Sequence, residues 1–330
     1  MIDHHVSADE ANRESVSLRA SDAGKAMHQL LEELYPICRS ITGDGVRSTL
    51  EILRRYIPLE VHEIPSGTQV FDWTVPKEWN IRDAYVKNSK GERIIDFRRS
   101  NLHVMSYSVP INRRMPLAEL RPHLFSLPEH PDWVPYRTSY YKENWGFCIS
   151  DRQLQVLQDG EYEVYIDSSL TEGHLTYGEY YLEGTTQEEV LISCHVCHPS
   201  LCNDNLSGIS VATHLAAHLT PQTDRRYCYR FLFIPATIGA ITWLARNEDN
   251  LERIRHGLVI TCVGDGGPFT HKKSRRGDAV IDRAFNDVSR AHAIFEWDGK
   301  SVVTITDLST PGTFISSDLM SAGTENPLAS

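Results

Sequence analysis

Apolar positions first fall into register over residues 24–38, where Met27, Leu30, Leu31, Leu34 and Ile37 recur at helical spacing and Pro36 suits a helix end. After the turn Thr42-Gly43-Asp44-Gly45, a second helix is predicted through Val46, Leu50, Ile52, Leu53 and Tyr56. Residues 59–64 then alternate apolar with polar, the pattern of a half-buried strand. Between about 66 and 145 the runs shorten, prolines accumulate, and Trp73, Trp79, Trp133 and Trp145 appear. Within that stretch, 79–86 and 94–97 read as strands around Asn88-Ser89-Lys90-Gly91, a hairpin turn. From Glu161 onward, strands at 162–166, 178–182, 190–194, 229–234 and 257–263 give way to helices at 209–219, 240–246 and 279–291.

That alternation of near-continuous apolar strands with helices predicts an α/β domain, with a mostly parallel central sheet and helices on both faces. The two N-terminal helices are expected to pack on the same sheet. This divides the chain into a flexible terminus at 1–22, a main α/β domain at 23–65 plus 150–330, and a small β-rich inserted domain at 66–149. Residues 301–330 are rich in Ser and Thr and show no helical period after a strand at 302–305. The main domain therefore reads as incomplete at its C-terminal end.

Composition excludes several classes. No apolar run approaches the roughly 20 residues that span a bilayer, and the first residues lack a basic then apolar leader, so no membrane partner and a cytoplasmic address are expected. A net charge of -11 argues against nucleic acid as a partner. The basic run 271–276 reads as a solvated loop. Seven scattered cysteines in 330 residues suit reduced thiols better than a disulfide framework.

Donor groups concentrate in 194–204, where Cys194, His195, Cys197, His198, Cys202 and Asp204 lie between a buried strand and a helix. In open α/β sheets, such strand ends are where ligands bind. Three readings compete. Cys194 and Cys197 have the Cys-x-x-Cys spacing of a structural zinc site, although no second Cys/His pair follows downstream. Alternatively, His195 at the strand end and Asp204 at the helix entrance are ligands of a hydrolytic metal centre, in which a carboxylate can bridge two ions. In the third, Asp204 only caps the helix and the thiols are small buried hydrophobes.

The segment from His195 through Asn203-Asp204-Asn205-Leu206-Ser207-Gly208 resembles the signature of bacterial polysaccharide-biosynthesis proteins with an aminopeptidase-like domain, which are similar to the wider di-zinc aminopeptidases. Trp79 to Tyr85, Trp145-Gly146-Phe147-Cys148 and Tyr177-Gly178-Glu179 extend the resemblance over most of the chain. It implies a zinc-peptidase-like fold holding one or two zinc ions and a hydrolase acting on a peptide or amide-bearing small substrate. The sequence leaves the oligomeric state open, with a homo-oligomer among the alternatives. Carried over by position, His195 matches a zinc ligand and Asp204 the bridging carboxylate. His198 is an additional candidate ligand particular to this group, and Asp265 stands nearest to the family's later aspartate. Cys197 falls where the wider family has the aspartate that orients the histidine. Ala236 and Thr237 occupy the place of the family's paired glutamates, and no histidine follows Ser301. The resemblance thus implies either a weakened enzyme or a non-catalytic binding protein on the same fold.

Overall fold

The structure is a computed structural model that describes residues 23–140, 142–266, 270–288, 293–297 and 303–307. The terminus at 1–22 and the end of the tail, 308–330, lie outside them. The elements that position the site are, in chain order, α1 (23–34), α2 (Asp44–Leu53), β1 (Glu60–Pro65), β2 (Glu78–Lys87), β3 (Arg93–Asp96), β4 (Ile111–Pro116), β5 (Glu161–Thr171), β6 (His174–Leu182), β7 (Glu189–His195), α3 (Gly208–Leu219), β8 (Cys228–Ile234), α4 (Ile238–Arg246) and β9 (Ile254–Val259).

The main sheet has the order β1-β6-β8-β7-β9. Its central strand β8 explains why helices cover both faces. Phe231 and Phe233 point to one side and pack with Leu30 and Leu34 of α1, Leu50 and Leu53 of α2, and Ile209 and Ala212 of α3. Leu232 and Ile234 point to the other and pack with Ile238 and Trp243 of α4. Each of the buried Leu, Ile and Phe side chains among these contributes roughly 1.5–3 kcal/mol of apolar burial. On α2 the buried positions Val46, Thr49, Leu50 and Leu53 lie three and four apart, one stripe of a 3.6-residue helix. Gly43 starts that helix at φ 98°, and a Cβ there would lie 2.1 Å from the Trp79 carbonyl oxygen, so the turn admits no larger residue.

The expectation of a mostly parallel sheet is corrected. β7 pairs in parallel with β8 and β9, whereas β6 runs antiparallel to both β8 and β1. The cause lies in the connection. β6 leads to β7, the next strand of this sheet, through only residues 183–188, too few for the helical crossover that would bring β7 back parallel to it, so β7 returns in the opposite direction.

A second sheet, β3-β2-β5-β4, is antiparallel throughout, with its own core around Val86, Ile95, Met115, Leu120, Phe147 and Val164. It takes in β5, which the sequence reading assigned to the main domain beyond residue 150. The strand's alternating burial would look the same in either sheet, because period-two patterning does not name the partner. The turn at 88–91 forms as expected, with Asn88 Oδ1 accepting from the amides of Lys90 and Glu92, both at 3.0 Å. No helix among the described residues is long and apolar enough to cross a membrane.

Candidate metal centre

The carboxyl ends of the three parallel strands converge. β7 reaches its end at His195, whose register partner is Ile234, the last residue of β8. The connection from β7 to β8 runs through α3 on one face, and that from β8 to β9 through α4 on the other, so a crevice opens above β7 where the two leave in opposite directions.

Into this crevice project His195, His198 and Asp204, with ligand atoms that all lie within 4.8 Å of one another. Asp204 joins the two rings, with Oδ1 2.7 Å from His195 Nε2 and Oδ2 3.7 Å from His198 Nε2. The histidine side chains are 15% and 20% exposed and the aspartate 44%, which makes the carboxylate the open side of the site. Ser207, at the α3 N-cap, makes no side-chain cap bond, and Asp204 spends its carboxylate on His195 rather than on helix amides.

His198 sits in a built socket. Arg39, fully buried, donates from Nε to the His198 carbonyl at 2.9 Å and from Nη1 to the Leu34 carbonyl at 2.8 Å, tying the loop to the end of α1. Ser200 adds a bond to the Tyr35 carbonyl at 2.7 Å. Cys197 Sγ lies 3.3 Å from His198 Nδ1 and 3.8 Å from the Ala236 carbonyl oxygen. Cys197 therefore touches His198.

Tyr136 packs its ring 4.8 Å from that of His198, and its hydroxyl hydrogen-bonds the Ser106 side chain. Sequence reading missed Tyr136 because it lies 62 residues from His198, in an aromatic-rich stretch where no local pattern marks it.

The protonation states of these groups are set by burial and by one another. Burial pushes the His198 imidazole down to about 4, against the pull of Asp204, so the ring is neutral at pH 7 and keeps a free lone pair. The hydrogen bond from His195 holds the Asp204 carboxyl below its usual value, so it is ionised. Burial raises the thiols of Cys194 and Cys197, the latter to about 11, and lifts the Tyr136 phenol well above its ordinary range. Cys194 is fully buried in the core beneath α3, on the opposite side of β7 from His195, so Cys194 and Cys197 do not form a joint Cys-x-x-Cys site.

A stability test follows from His198. Its folded pKa lies below the unfolded value near 6.5, so above pH 6.5 the ring contributes no pH dependence. As pH falls from about 6.5 to 4 the unfolded chain takes up the proton first and stability drops, on the order of 2 kcal/mol once partial exposure is allowed for. Denaturant melts of metal-free protein at pH 7 and pH 5 measure the drop, and a His198→Asn variant should remove most of it.

Asp265, the fourth residue nominated from sequence, stays outside this cluster. Its carboxylate accepts from Asn203 Nδ2 at 2.8 Å. β9 ends at Val259 rather than near 263, and beyond it the chain is fastened to the 203–207 loop: Asn205 Nδ2 donates to the His195 and Ile260 carbonyls, each at 3.2 Å. His271, a poor positional substitute for a late ligand, stacks on Phe285 and faces Asp282. His292 lies outside the described residues. Ala236 and Thr237 are both exposed just past β8.

A family model described as a domain of unknown function, DUF4910, matches residues 28–299. The chain belongs to this family. A second model, the FHA domain, matches residues 273–329 and overlaps the DUF4910 match over 273–299. The DUF4910 chain is 58% identical over 269 residues to a Clostridium acetobutylicum protein named for polysaccharide biosynthesis with an aminopeptidase-like domain, covering 82% of this chain and 62% of that one. It superposes at a TM-score of 0.81 and 56% identity on a solved C. acetobutylicum protein described as a peptidase, covering 84% of this chain and 66% of that chain. This DUF4910 chain therefore spans about two thirds of the length of these relatives. A zinc aminopeptidase of Bacillus subtilis matches at a TM-score of 0.56 and 13% identity over 81% of this chain and 76% of its own, a likeness of fold. The resemblance read from the sequence is thereby borne out, as a mixed α/β, aminopeptidase-like fold.

Proposed function

We propose that the chain is a zinc-dependent, aminopeptidase-like hydrolase of low turnover, acting on a peptide or amide-bearing small substrate and linked to polysaccharide biosynthesis as its Clostridium relative is named. The observation that carries this reading is the convergence of two imidazoles and an ionised carboxylate at the strand ends. Zinc bound by nitrogen and oxygen at about 2.0–2.1 Å in a tetrahedral set implies ligand atoms about 3.3 Å apart. The Asp204 separations of 2.7 and 3.7 Å, each to a different carboxylate oxygen, lie either side of that spacing and the whole set lies within 4.8 Å, so a shared ion would draw the side chains together.

His195 and His198 would give nitrogen lone pairs and Asp204 its carboxylate. When bound, zinc supplies Lewis acidity for carbonyl polarisation and water activation. Arg39 and Cys197 hold the His198 loop, and the Tyr136 ring walls one side of the crevice against bulk water. At Ala236 and Thr237, where a carboxylate would accept the proton of the attacking water, the chain offers none, which is the reason for low turnover. A second reading, a non-catalytic binding protein on the same fold, draws on these same two exposed residues.

Calorimetric titration of metal-free protein with zinc is expected to give one site per chain. Thermal stability should rise with it, by about 2.7 kcal/mol when free zinc reaches about 100 times Kd. Absence of binding together with an unchanged melt would sink both the zinc requirement and the hydrolase.

A further inference from the structure

Nothing in a histidine's own torsions fixes its ring, because the bond to the imidazole rotates in a broad, roughly two-fold well. His198 is turned toward Asp204 by what surrounds it. One ring edge places Nε2 3.7 Å from Asp204 Oδ2, and the other places Nδ1 3.3 Å from Cys197 Sγ. Its other ring neighbours are His195, edge-on at 4.7 Å, and Tyr136, at 4.8 Å and tilted by 43°. Tyr136 arrives on a strap of chain laced to the second sheet. The Ser106 amide donates to the Arg137 carbonyl at 2.9 Å, and the Ser139 amide to the Ser106 carbonyl at 3.0 Å. Two residues on, the Ser108 carbonyl accepts from Trp79 Nε1 of β2 at 2.9 Å and from Ser168 Oγ of β5 at 2.7 Å. Pro135 is buried, and the Arg137 guanidinium lies 4.9 Å from the centre of the Phe125 ring, so the strap is held on both sides of Tyr136.

We propose that Tyr136 is a positioning residue of the zinc site, holding the His198 imidazole with Nε2 toward Asp204. The inference rests on the zinc reading above and extends it to the second sheet, which takes part in the centre although, among the described residues, it supplies no ligand. The Tyr136 ring acts as a flat wall. An imidazole swinging away from Asp204 on that side would have to displace a ring that is tied through its strap to β2 and β5. A ligand whose side chain is already oriented gives up less freedom when the ion binds, so the wall raises metal affinity without touching the metal. In this role the ring is what matters and the hydroxyl is dispensable.

Zinc titrations of metal-free variants, read beside their thermal melts, test the assignment. Tyr136→Phe keeps the ring and is expected to bind zinc as the unaltered protein does. Tyr136→Leu fills similar space without a flat face, and its zinc affinity is expected to fall by at least about tenfold, the low end of what losing a ligand's supporting partner costs. Because the ring acts through His198, Tyr136→Leu should cost nothing further in a His198→Asn background. That cycle also decides the case in which Tyr136→Leu lowers the metal-free melt, since a general loosening would persist when His198 is gone. Unchanged affinity in Tyr136→Leu, an equal loss in Tyr136→Phe, or an equal loss in the His198→Asn background overturns the positioning role and leaves the zinc reading standing. No zinc bound by the unaltered protein overturns both.

Discussion

Asp204→Ala lowers zinc affinity by at least about 100-fold, the upper end of the cost of losing only a ligand's supporting partner. The size follows from what the residue does. Among the described residues, Asp204 supplies the one carboxylate of the cluster, and its two oxygens face the two ring nitrogens, so its loss removes a donor and the negative charge together. Its side chain is 44% exposed and packs in no apolar core, so the variant should fold. Asp204→Asn keeps the shape and removes the charge, and should fall between the two. Competition titration against a chromophoric chelator measures all three proteins. Unchanged affinity in the alanine variant would mean that the ion, if bound, sits elsewhere.

Ala236→Glu should raise the rate of aminoacyl-amide hydrolysis by about 10²- to 10⁴-fold, the usual contribution of a positioned general base. Position 236 is favoured by contact, since its carbonyl touches the Cys197 thiol, which in turn touches His198. The residue is exposed, so the longer side chain displaces no core atoms. Thr237→Glu, one residue further along, is the comparison. A gain that a chelator abolishes assigns the missing step to the base. No gain in either variant, with zinc bound normally, decides for the binding protein.

Much of this was legible in the sequence. β7, α3 and β8 fall within a residue or two of their expected ends, because strands buried on both faces read as continuous apolar runs and α3 carries a clear helical period. The direction of β6 was not legible, since it depends on the short link to β7 and leaves no mark on composition. Nor was the end of β9. That strand lies at the edge of the sheet, and its last residues leave β7 for side chains of the 203–207 loop, a change of partner that apolar patterning does not record. His195 and Asp204 were readable as a pair because they are nine residues apart on one strand-loop-helix unit, whereas the contacts of Arg39 and Tyr136 with His198 are fixed only by the folded chain.

The bond from Arg39 to the His198 carbonyl joins residues 159 positions apart. Loop closure over such a span costs entropy that neighbouring contacts must already have offset. The arrangement of the three donors is therefore not a property of the stretch 193–208 alone. The bond that Arg39 makes to the His198 loop requires the N-terminal helices to be packed on the sheet, so the three donors are expected to come together late in folding. A nascent chain would carry all three donors well before it could present them together.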